Sequence, residues 1–175
     1  MSFETDNRAF FEATINARPA CYYAPGGVED ALALALEDAR ADRGYQYLLK
    51  NGQGAILGRV NLGQVRRAHF QSAVLGYRIA EAECGKGYAG EAVRQVLGIA
   101  FGELDLARVE ADCRVENAAS ARVLLRNGFT QFGHSRRSFE LHGAWHDRLH
   151  FECHALARQA PGPNMHAGIL FVAVM

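Results

Sequence analysis

A glycine-rich segment, Gly85-Lys86-Gly87-Tyr88-Ala89-Gly90, separates a strand-like run from a helix-like run. The run before it, from Ala73 to Ile79, is rich in β-branched and aromatic residues, whereas the apolar residues after it recur at steps of three and four. A glycine-rich turn that opens a helix presents free backbone N–H groups beside the positive end of the helix dipole. The segment therefore predicts a phosphate-binding site.

Two phosphate-bearing ligands are compatible with this segment. Gly85, Gly87 and Gly90 spell G-x-G-x-x-G, and Glu110 and Asp112 follow about 20 residues later, as in dinucleotide-binding sites. A dinucleotide fold, however, places this loop after its first buried strand and then repeats βα units. Here the loop follows half-exposed, antiparallel strand signals, so the dinucleotide interpretation is the weaker one, and the other candidate is the pyrophosphate of coenzyme A. A third interpretation is that the glycines only shape a strand-to-helix turn.

The elements that must position this segment follow from periodicity and turn signals. Helices are predicted at 28–41, 88–102 and 118–126, and strands at 45–50, 55–62, 72–80, 107–113, 129–141 and 145–156. Asn117 is expected to cap the third of these helices and Gly128 to end it. Two-residue turns are predicted at Asn51-Gly52 and His142-Gly143, because both positions of such turns take positive φ. These elements predict an α+β fold with a mixed, mostly antiparallel central sheet flanked by helices on both sides.

Five short motifs occur in order and at compatible spacing. They are Gly76-Tyr77-Arg78-Ile79, Gly85 to Ala92, Val109-Glu110-Ala111, Asn117-Ala118-Ala119-Ser120 and Asn127-Gly128-Phe129. Together they resemble the GNAT superfamily of acetyl-CoA-dependent N-acetyltransferases, and in particular the branch that acetylates ribosomal-protein N-termini. The resemblance spans residues 45–155 within a single predicted domain, residues 1–160, and it implies the acyl-CoA N-acyltransferase fold.

The resemblance also implies where the acetyl donor binds. The N–H groups that would hold the pyrophosphate of acetyl-CoA belong to Gly85, Lys86, Gly87, Tyr88, Ala89 and Gly90. In the family, two central strands splay apart around the pantetheine arm of the cofactor. By this resemblance, the backbone around Ile79 binds the arm and polarises the thioester carbonyl, and Asn117 also contacts the cofactor.

Catalytic residues follow from the same resemblance. Many relatives carry a tyrosine seven residues after the asparagine that starts the helix, and that position is Leu124 here. The ribosomal-protein branch has N-x-x-S instead, which makes Ser120 the predicted donor of a proton to the leaving thiolate. The alternative is that Ser120 only satisfies backbone groups of the helix. Glu110 is the predicted general base, directly or through a water. Because Glu110 and Asp112 are two apart on one strand, they share a face, and a solvated face is their alternative role.

The predicted reaction is transfer of an acetyl group from acetyl-CoA to a primary amine, by direct attack of the amine on the thioester. The expected acceptor is a protein N-terminal α-amine, such as that of a ribosomal protein. A small-molecule amine (a polyamine, amino acid or antibiotic) and a non-catalytic acyl-CoA-binding module are the alternatives, and a dinucleotide-binding oxidoreductase is a more distant one.

Composition limits the partners. Nineteen basic and nineteen acidic side chains cancel, whereas non-specific nucleic-acid binding needs clustered positive charge. Four dispersed cysteines and an N-terminus without an apolar core predict a cytoplasmic protein with reduced thiols. His146, His150 and His154 would share one strand face, but steps of four residues are roughly 13 Å on a strand, so no metal site is predicted.

The C-terminal tail, residues 161–175, contains an apolar run from Gly168 to Met175 that is too short to span a bilayer. Its β-branched and aromatic content is typical of a strand. Our hypothesis is that Ile169 to Val174 docks on a sheet edge, either of its own chain or of a second copy in a homodimer. The alternative is a tail outside the fold, because Pro161 to Asn164 resembles a linker.

Overall fold

A computed structural model of the chain describes residues 2–155 and 169–173. Its helices are α1 (Ser2–Asp6), α2 (Arg8–Glu12), α3 (Gly27–Arg40), α4 (Tyr88–Gly102) and α5 (Ala118–Arg126), with short 3₁₀ helices at Ala20–Tyr23 and Glu81–Glu83. Its strands are β1 (Tyr45–Asn51), β2 (Ile56–Arg66), β3 (Ser72–Ile79), β4 (Arg108–Arg114), β5 (Thr130–Leu141), β6 (Ala144–His154) and β7 (Ile169–Ala173).

The strands form one sheet in the order β5-β6-β4-β3-β2-β1-β7. Every neighbouring pair is antiparallel except β3 and β4, which are parallel. Parallel neighbours need a crossover connection, and α4 supplies it between these two strands. The predicted mixed, mostly antiparallel sheet is confirmed.

Helices cover both faces of the sheet, as predicted. On what we call the inner face, Val60 of β2 and Val93 and Val96 of α4 are completely buried in the main core. On the outer face, Gln46 and Leu48 of β1 line a cavity of about 230 Å³ together with residues of α1 and α3. Leu49 of β1 is buried in the main core, so alternate residues of β1 lie on the two faces, because successive side chains of a strand point in opposite directions.

Both ends of α5 carry the predicted caps. The side-chain oxygen of Asn117 accepts a hydrogen bond from the backbone N–H of Ser120 at 3.0 Å. Gly128 has a φ of +83°, and the N–H of Phe129 donates to the carbonyl of Leu124 at 3.2 Å, as in a Schellman motif. These local bonds determine where α5 begins and hold Ser120 in its first turn.

The connection between β1 and β2 differs from the predicted two-residue turn. Asn51 ends β1, and its side-chain oxygen accepts from the N–H groups of Gln53 and Ala55 at 3.0 and 2.9 Å. The positive φ of this loop is at Gly54 and not at Asn51 or Gly52. The predicted hairpin is confirmed, because β1 pairs antiparallel with β2, but the tight turn at Asn51-Gly52 is wrong, because the asparagine side chain caps a wider loop.

The turn predicted between the last two long strands is confirmed. His142 and Gly143 have φ values of 50° and 78° and connect β5 directly to β6. Two successive positive φ values are typical of the type I′ hairpin turn.

The C-terminal strand β7 pairs antiparallel with β1, with Leu48 opposite Val172. For residues 169–173 this confirms the hypothesis that the apolar run docks on the sheet edge of its own chain. Val174 and the predicted domain boundary at residue 160 lie outside the described residues.

Truncation after Ala160 is expected to destabilise the protein, because it removes β7 and leaves the N–H and C=O groups of β1 unpaired at a sheet edge. We expect a fall in Tm of at least about 4 °C, which corresponds to about 1 kcal/mol or more in a chain of this size, together with lower solubility. Truncation after Ala173 keeps β7 and serves as the control. If the shorter protein kept its Tm, solubility and oligomeric state, β7 would not contribute to the fold.

Candidate functional site

The parallel strands β3 and β4 pair over only part of their length. Their last Cα pair is Leu75 with Ala111, whereas β3 stays paired with β2, and β4 with β6, to the ends of both strands. Residues 76–79 and 112–114 therefore border an opening in the sheet, which we call the gap. Across the gap, the facing edges of the two strands have no strand partner among the described residues. This is the splay of two central strands that the family resemblance implied.

Ile79 is the last residue of β3 and borders the gap. Its side chain is buried in the core, so only its backbone is available to a ligand in the gap. A partly buried backbone edge without a strand partner needs hydrogen-bonding groups from elsewhere. An extended chain with amide groups can supply such groups by lying along the edge like an added strand.

The glycine-rich segment stands at the end of the gap and opens α4. Gly87 is the N-cap residue, and the first helical hydrogen bond runs from the N–H of Glu91 to the carbonyl of Gly87 at 3.1 Å. The N–H groups of Tyr88, Ala89 and Gly90 thus lack partners within the helix. Nor does any N–H between residues 85 and 90 meet an acceptor in the described part of the chain.

Glycine is required at two positions of this segment by conformation. Gly85 and Gly87 have φ values of +78° and +87°, which L side chains rarely adopt. A Cβ atom built at either position would meet nothing within 4 Å, so both residues face open space. Free donors, open space and a helix N-terminus together fit the pyrophosphate of acetyl-CoA.

The charged side chain of Lys86, within the segment, forms only an exposed ion pair. The ammonium group of Lys86 is 3.1 Å from the carboxylate of Glu83, and about half of the Lys86 side chain is exposed. Exposed ion pairs of this kind contribute little. Lys86 is therefore free to contact an anion that binds to the segment.

On the inner face of the gap, three side chains meet. The hydroxyl oxygen of Ser120 is 2.8 Å from the hydroxyl oxygen of Tyr77, and it also contacts the Cys113 thiol. Tyr77 belongs to the β3 side of the gap and Cys113 to the β4 side. Ser120 therefore lies at the gap, between its two borders.

Burial changes the acidity of both partners of Ser120. It raises the pKa of Tyr77 to about 12, so that this phenol stays protonated near neutral pH. Burial also raises the pKa of the Cys113 thiol, an effect that the contact with Ser120 partly offsets. Leu124, at the position where many relatives carry tyrosine, is completely buried in the core.

Tyr77 and Cys113 were not predicted as neighbours of Ser120. Tyr77 is 43 residues away from Ser120 in the chain, and its contact depends on the position of α5 against the sheet. The alternation along β3 places Tyr77 on the same face as Leu75 and Ile79. This alternation was the one sequence feature that could have indicated that Tyr77 points to the inner face.

Glu110 and Asp112 share the outer face, as predicted, since the residues that alternate with them, Val109, Ala111 and Cys113, are buried in the inner core. The Oε1 atom of Glu110 is 3.0 Å from a guanidinium nitrogen of Arg66 and 3.1 Å from one of Arg108. The Oε2 atom of Glu110 has no partner among the described residues. This carboxylate lies in the last but one pair before the gap opens.

Asp112 is the first residue of β4 beyond the last pair with β3. Its carboxylate forms an ion pair with Arg148 of β6. Glu110 therefore keeps one unoccupied carboxylate oxygen beside the gap, whereas the carboxylate of Asp112, at the edge of the gap, is paired with Arg148.

The N-terminal segment docks on the outer face beside the gap. The buried carboxylate of Glu4 in α1 is 2.7 Å from a guanidinium nitrogen of Arg59, 3.0 Å from one of Arg78 and 3.5 Å from one of Arg18. Arg78 borders the gap, and burial lowers its pKa. Three guanidinium groups around one carboxylate give this surface an excess of positive charge.

Two further hydrogen bonds hold the N-terminal segment on the outer face. The Nε2 atom of His142, in the turn between β5 and β6, is 2.8 Å from the carbonyl oxygen of Glu12 at the end of α2. The side-chain oxygen of Asn7 accepts from the N–H of Glu81, just after β3, at 2.8 Å. Sequence signals assigned no element to residues 1–27, yet helices α1 and α2 there form a wall of the outer side of the gap.

The C-terminal histidines contact separate partners. His150 is 2.7 Å from the hydroxyl of Ser135, and His146 is 3.4 Å from the carboxylate of Glu116. Within residues 2–155 and 169–173, no three histidine, cysteine or acidic side chains cluster as metal ligands. In the same ranges, no helix is long and apolar enough to cross a membrane.

Comparisons with known proteins agree with this geometry. The profile of the acetyltransferase (GNAT) domain matches residues 3–130. A probable N-acetyltransferase of Bacillus subtilis, YjcK, is 34% identical over 148 residues, which are 84% of this chain and 82% of YjcK. The ribosomal protein uS5-alanine N-acetyltransferase of Escherichia coli is 24% identical over 148 residues, 84% of this chain and 76% of its own.

A solved structure shows the same fold. RimJ of Mycobacterium smegmatis, in complex with CoA-disulfide, aligns with a TM-score of 0.80 and 26% identity, covering 87% of this chain and 74% of RimJ. The acyl-CoA N-acyltransferase fold, the acetyltransferase activity and the use of acetyl-CoA as acetyl donor are thereby confirmed. A chain with this domain match and these relatives belongs to the GNAT family of N-acetyltransferases.

Proposed function

We propose that this enzyme acetylates the α-amine of a protein N-terminus, with Ser120 as proton donor and Glu110 as general base. One observation carries the proposal. The Ser120 hydroxyl lies on the inner face of the gap, and the unoccupied Glu110 oxygen lies beside the same gap on the outer face. A thioester held in the gap would have an acid on one side and a base on the other.

The residues around the gap suit direct attack of an amine on a thioester. The segment from Gly85 to Gly90 would anchor the pyrophosphate, and backbone groups near Ile79 would polarise the carbonyl. Glu110 would take the proton that the amine gives up, directly or through a water. As the C–N bond forms and the C–S bond breaks, Ser120 would donate a proton to the leaving sulfur.

The charge of the outer face supports an α-amine over a polyamine. Glu4, Glu110 and Asp112 each contact at least one arginine, and the three arginines around Glu4 leave a positive excess. A polyamine carries several positive charges and would be repelled by this surface. A peptide α-amine has a pKa of about 7.7–8.0 and is partly neutral at pH 7. The uS5-alanine activity of the E. coli relative also supports a protein acceptor.

An acceptor panel tests the proposal. Peptides with free N-termini, the same peptides with blocked N-termini and a free lysine, and spermidine are incubated with acetyl-CoA, and release of the CoA thiol is measured. We expect release with the free N-termini and none with the blocked ones. Faster release with spermidine or with lysine side chains would assign a different acceptor. Binding of acetyl-CoA without release with any amine would instead support a non-catalytic module.

Glu110→Gln is expected to lower kcat most at low pH, where the amine is largely protonated and most needs a base. The expected loss is about 10- to 100-fold near pH 6.5, the lower range for general-base catalysis, and it should shrink towards pH 9. Glu152→Gln removes a neighbouring carboxylate that also contacts Arg108, and it is the matched control. Equal losses at pH 7 and pH 9 would assign Glu110 a structural role.

We further propose that the reaction takes place in the cytoplasm. The four cysteines Cys21, Cys84, Cys113 and Cys153 are free thiols, as expected in a reducing compartment.

A further inference from the structure

Tyr77 is a hydrogen-bonding residue at the gap to which the proposed mechanism gives no role. Its hydroxyl is 2.8 Å from the Ser120 hydroxyl oxygen and 3.4 Å from the Ser120 carbonyl oxygen. The backbone N–H of Ser120 is already bonded to Asn117. The position of the Ser120 proton therefore depends on the Tyr77 hydroxyl and on the Cys113 thiol that Ser120 also contacts.

Two arrangements of these protons are compatible with the distances. In the first, Ser120 donates to Tyr77, and Tyr77 donates to the Ser120 carbonyl across the longer 3.4 Å contact. In the second, Tyr77 donates to the Ser120 hydroxyl oxygen across 2.8 Å, and the Ser120 proton is left for another acceptor, either the Cys113 sulfur that it contacts or a group in the gap. A hydroxyl has one proton but two lone pairs, so Ser120 can accept from Tyr77 and donate elsewhere at once.

A charged leaving group favours the second arrangement. Hydrogen bonds to an ionised acceptor are roughly twice as strong as neutral ones, so a developing thiolate attracts the Ser120 proton. A phenol is a stronger acid than an aliphatic hydroxyl, and the shorter contact is the better bond for the Tyr77 proton. Because its pKa is raised to about 12, Tyr77 stays protonated and remains a donor throughout the working pH range.

We infer that Tyr77 is a positioning residue that donates to the Ser120 hydroxyl oxygen and directs the Ser120 proton into the gap, towards the leaving sulfur. The inference rests on the proposed role of Ser120. Many relatives carry a tyrosine at the position of Leu124, which has no hydroxyl and is buried here. In this chain the tyrosine next to the proposed proton donor is instead Tyr77, on the β3 border of the gap.

The proton balance of the step is closed without another reactant. The amine nitrogen forms a bond to the acetyl carbon and gives up one proton, while the carbon–sulfur bond breaks and the sulfur gains the Ser120 proton. Glu110 takes the proton given up by nitrogen, and a proton returns through water to Ser120 as Ser120 donates its own. Because Ser120 is reprotonated as it donates, it never carries a full negative charge, and Tyr77 keeps its own proton while its hydrogen bond stabilises the partial charge on the Ser120 oxygen.

The test is a set of single and double variants assayed with acetyl-CoA and the best peptide of the acceptor panel. Tyr77→Phe is nearly isosteric and is expected to lower kcat roughly 10-fold, a part of the usual effect of a positioned acid, with an unchanged KM for acetyl-CoA. Tyr45→Phe is the matched control. It removes a 2.6 Å tyrosine hydrogen bond to Asp42, two strands away from β3, and should leave kcat unchanged.

The double variants separate positioning from a structural effect. In a Ser120→Ala background, Tyr77→Phe should cost less than about 2-fold, because the group that it orients is absent. In a Ser120→Thr background the hydroxyl is retained, so the loss should return. A full additional loss in the alanine background, or an unchanged kcat in both the wild-type and threonine backgrounds, would overturn the inference.

Two further measurements keep the result interpretable. The Tm of each variant shows whether it is folded, and a Tyr77→Phe protein with a strongly lowered Tm and a raised KM would indicate a structural role, which also overturns the inference. Wild-type turnover with the panel tests the proposed acceptor separately. If no amine is acetylated, the same cycle is measured on thioester hydrolysis of acetyl-CoA, which has the same leaving group.

Discussion

Gly87→Val is expected to abolish the stabilisation of the protein by acetyl-CoA. A ligand that binds only the native state at 100 times its Kd stabilises it by about 2.7 kcal/mol, which raises the Tm of a chain of this size by about 5–10 °C. The Gly87 position faces open space where the phosphates would approach, at the N-cap of α4. A valine side chain there fills that space and also disfavours the φ of +87° that aims the N–H groups.

Strain alone must be distinguished from loss of the site. Gly54 has a φ of +84°, also faces open space, and lies in the loop between β1 and β2, away from α4. Gly54→Val should therefore lower the Tm of the free protein about as much as Gly87→Val, yet retain the full shift with acetyl-CoA. A Gly87→Val protein that is folded and binds acetyl-CoA with wild-type affinity would show that the pyrophosphate binds elsewhere.

Ser120→Ala is expected to lower kcat by roughly 10- to 1000-fold while leaving the affinity for acetyl-CoA nearly unchanged, since the loss of a proton donor affects the transition state. The substitution keeps the backbone N–H that Asn117 caps, so α5 should still begin at the same residue. Rates at saturating acetyl-CoA and acceptor, with chemistry rate-limiting, measure the effect.

A second serine provides the matched control for this prediction. Ser72, at the start of β3, is buried, and its hydroxyl has no partner among the described residues. Ser72→Ala should leave kcat unchanged, because no hydrogen bond is lost. An unchanged kcat for Ser120→Ala as well would reduce Ser120 to the structural role that a serine in a first helical turn can have.

The sequence by itself determined the local elements around the site. The bounds of α4 and α5, the Asn117 cap and the Gly128 end were predicted as observed, because helix periodicity and caps depend on residues within a few positions of each other. The glycine-rich segment was recognised for the same reason, since its donors are contiguous in the chain. One local prediction failed at Asn51-Gly52, where a side-chain cap outcompeted the expected turn.

Only the tertiary structure decided which distant residues meet at the gap. The contacts of Tyr77 with Ser120, and of Glu4 with Arg59 and Arg78, join residues 43, 55 and 74 positions apart. The place where β3 and β4 separate, and the pairing of β7 with β1, are likewise absent from any local pattern. Strand register and helix docking depend on how whole faces pack, so residues with weak local signals acquire their partners only when the core closes.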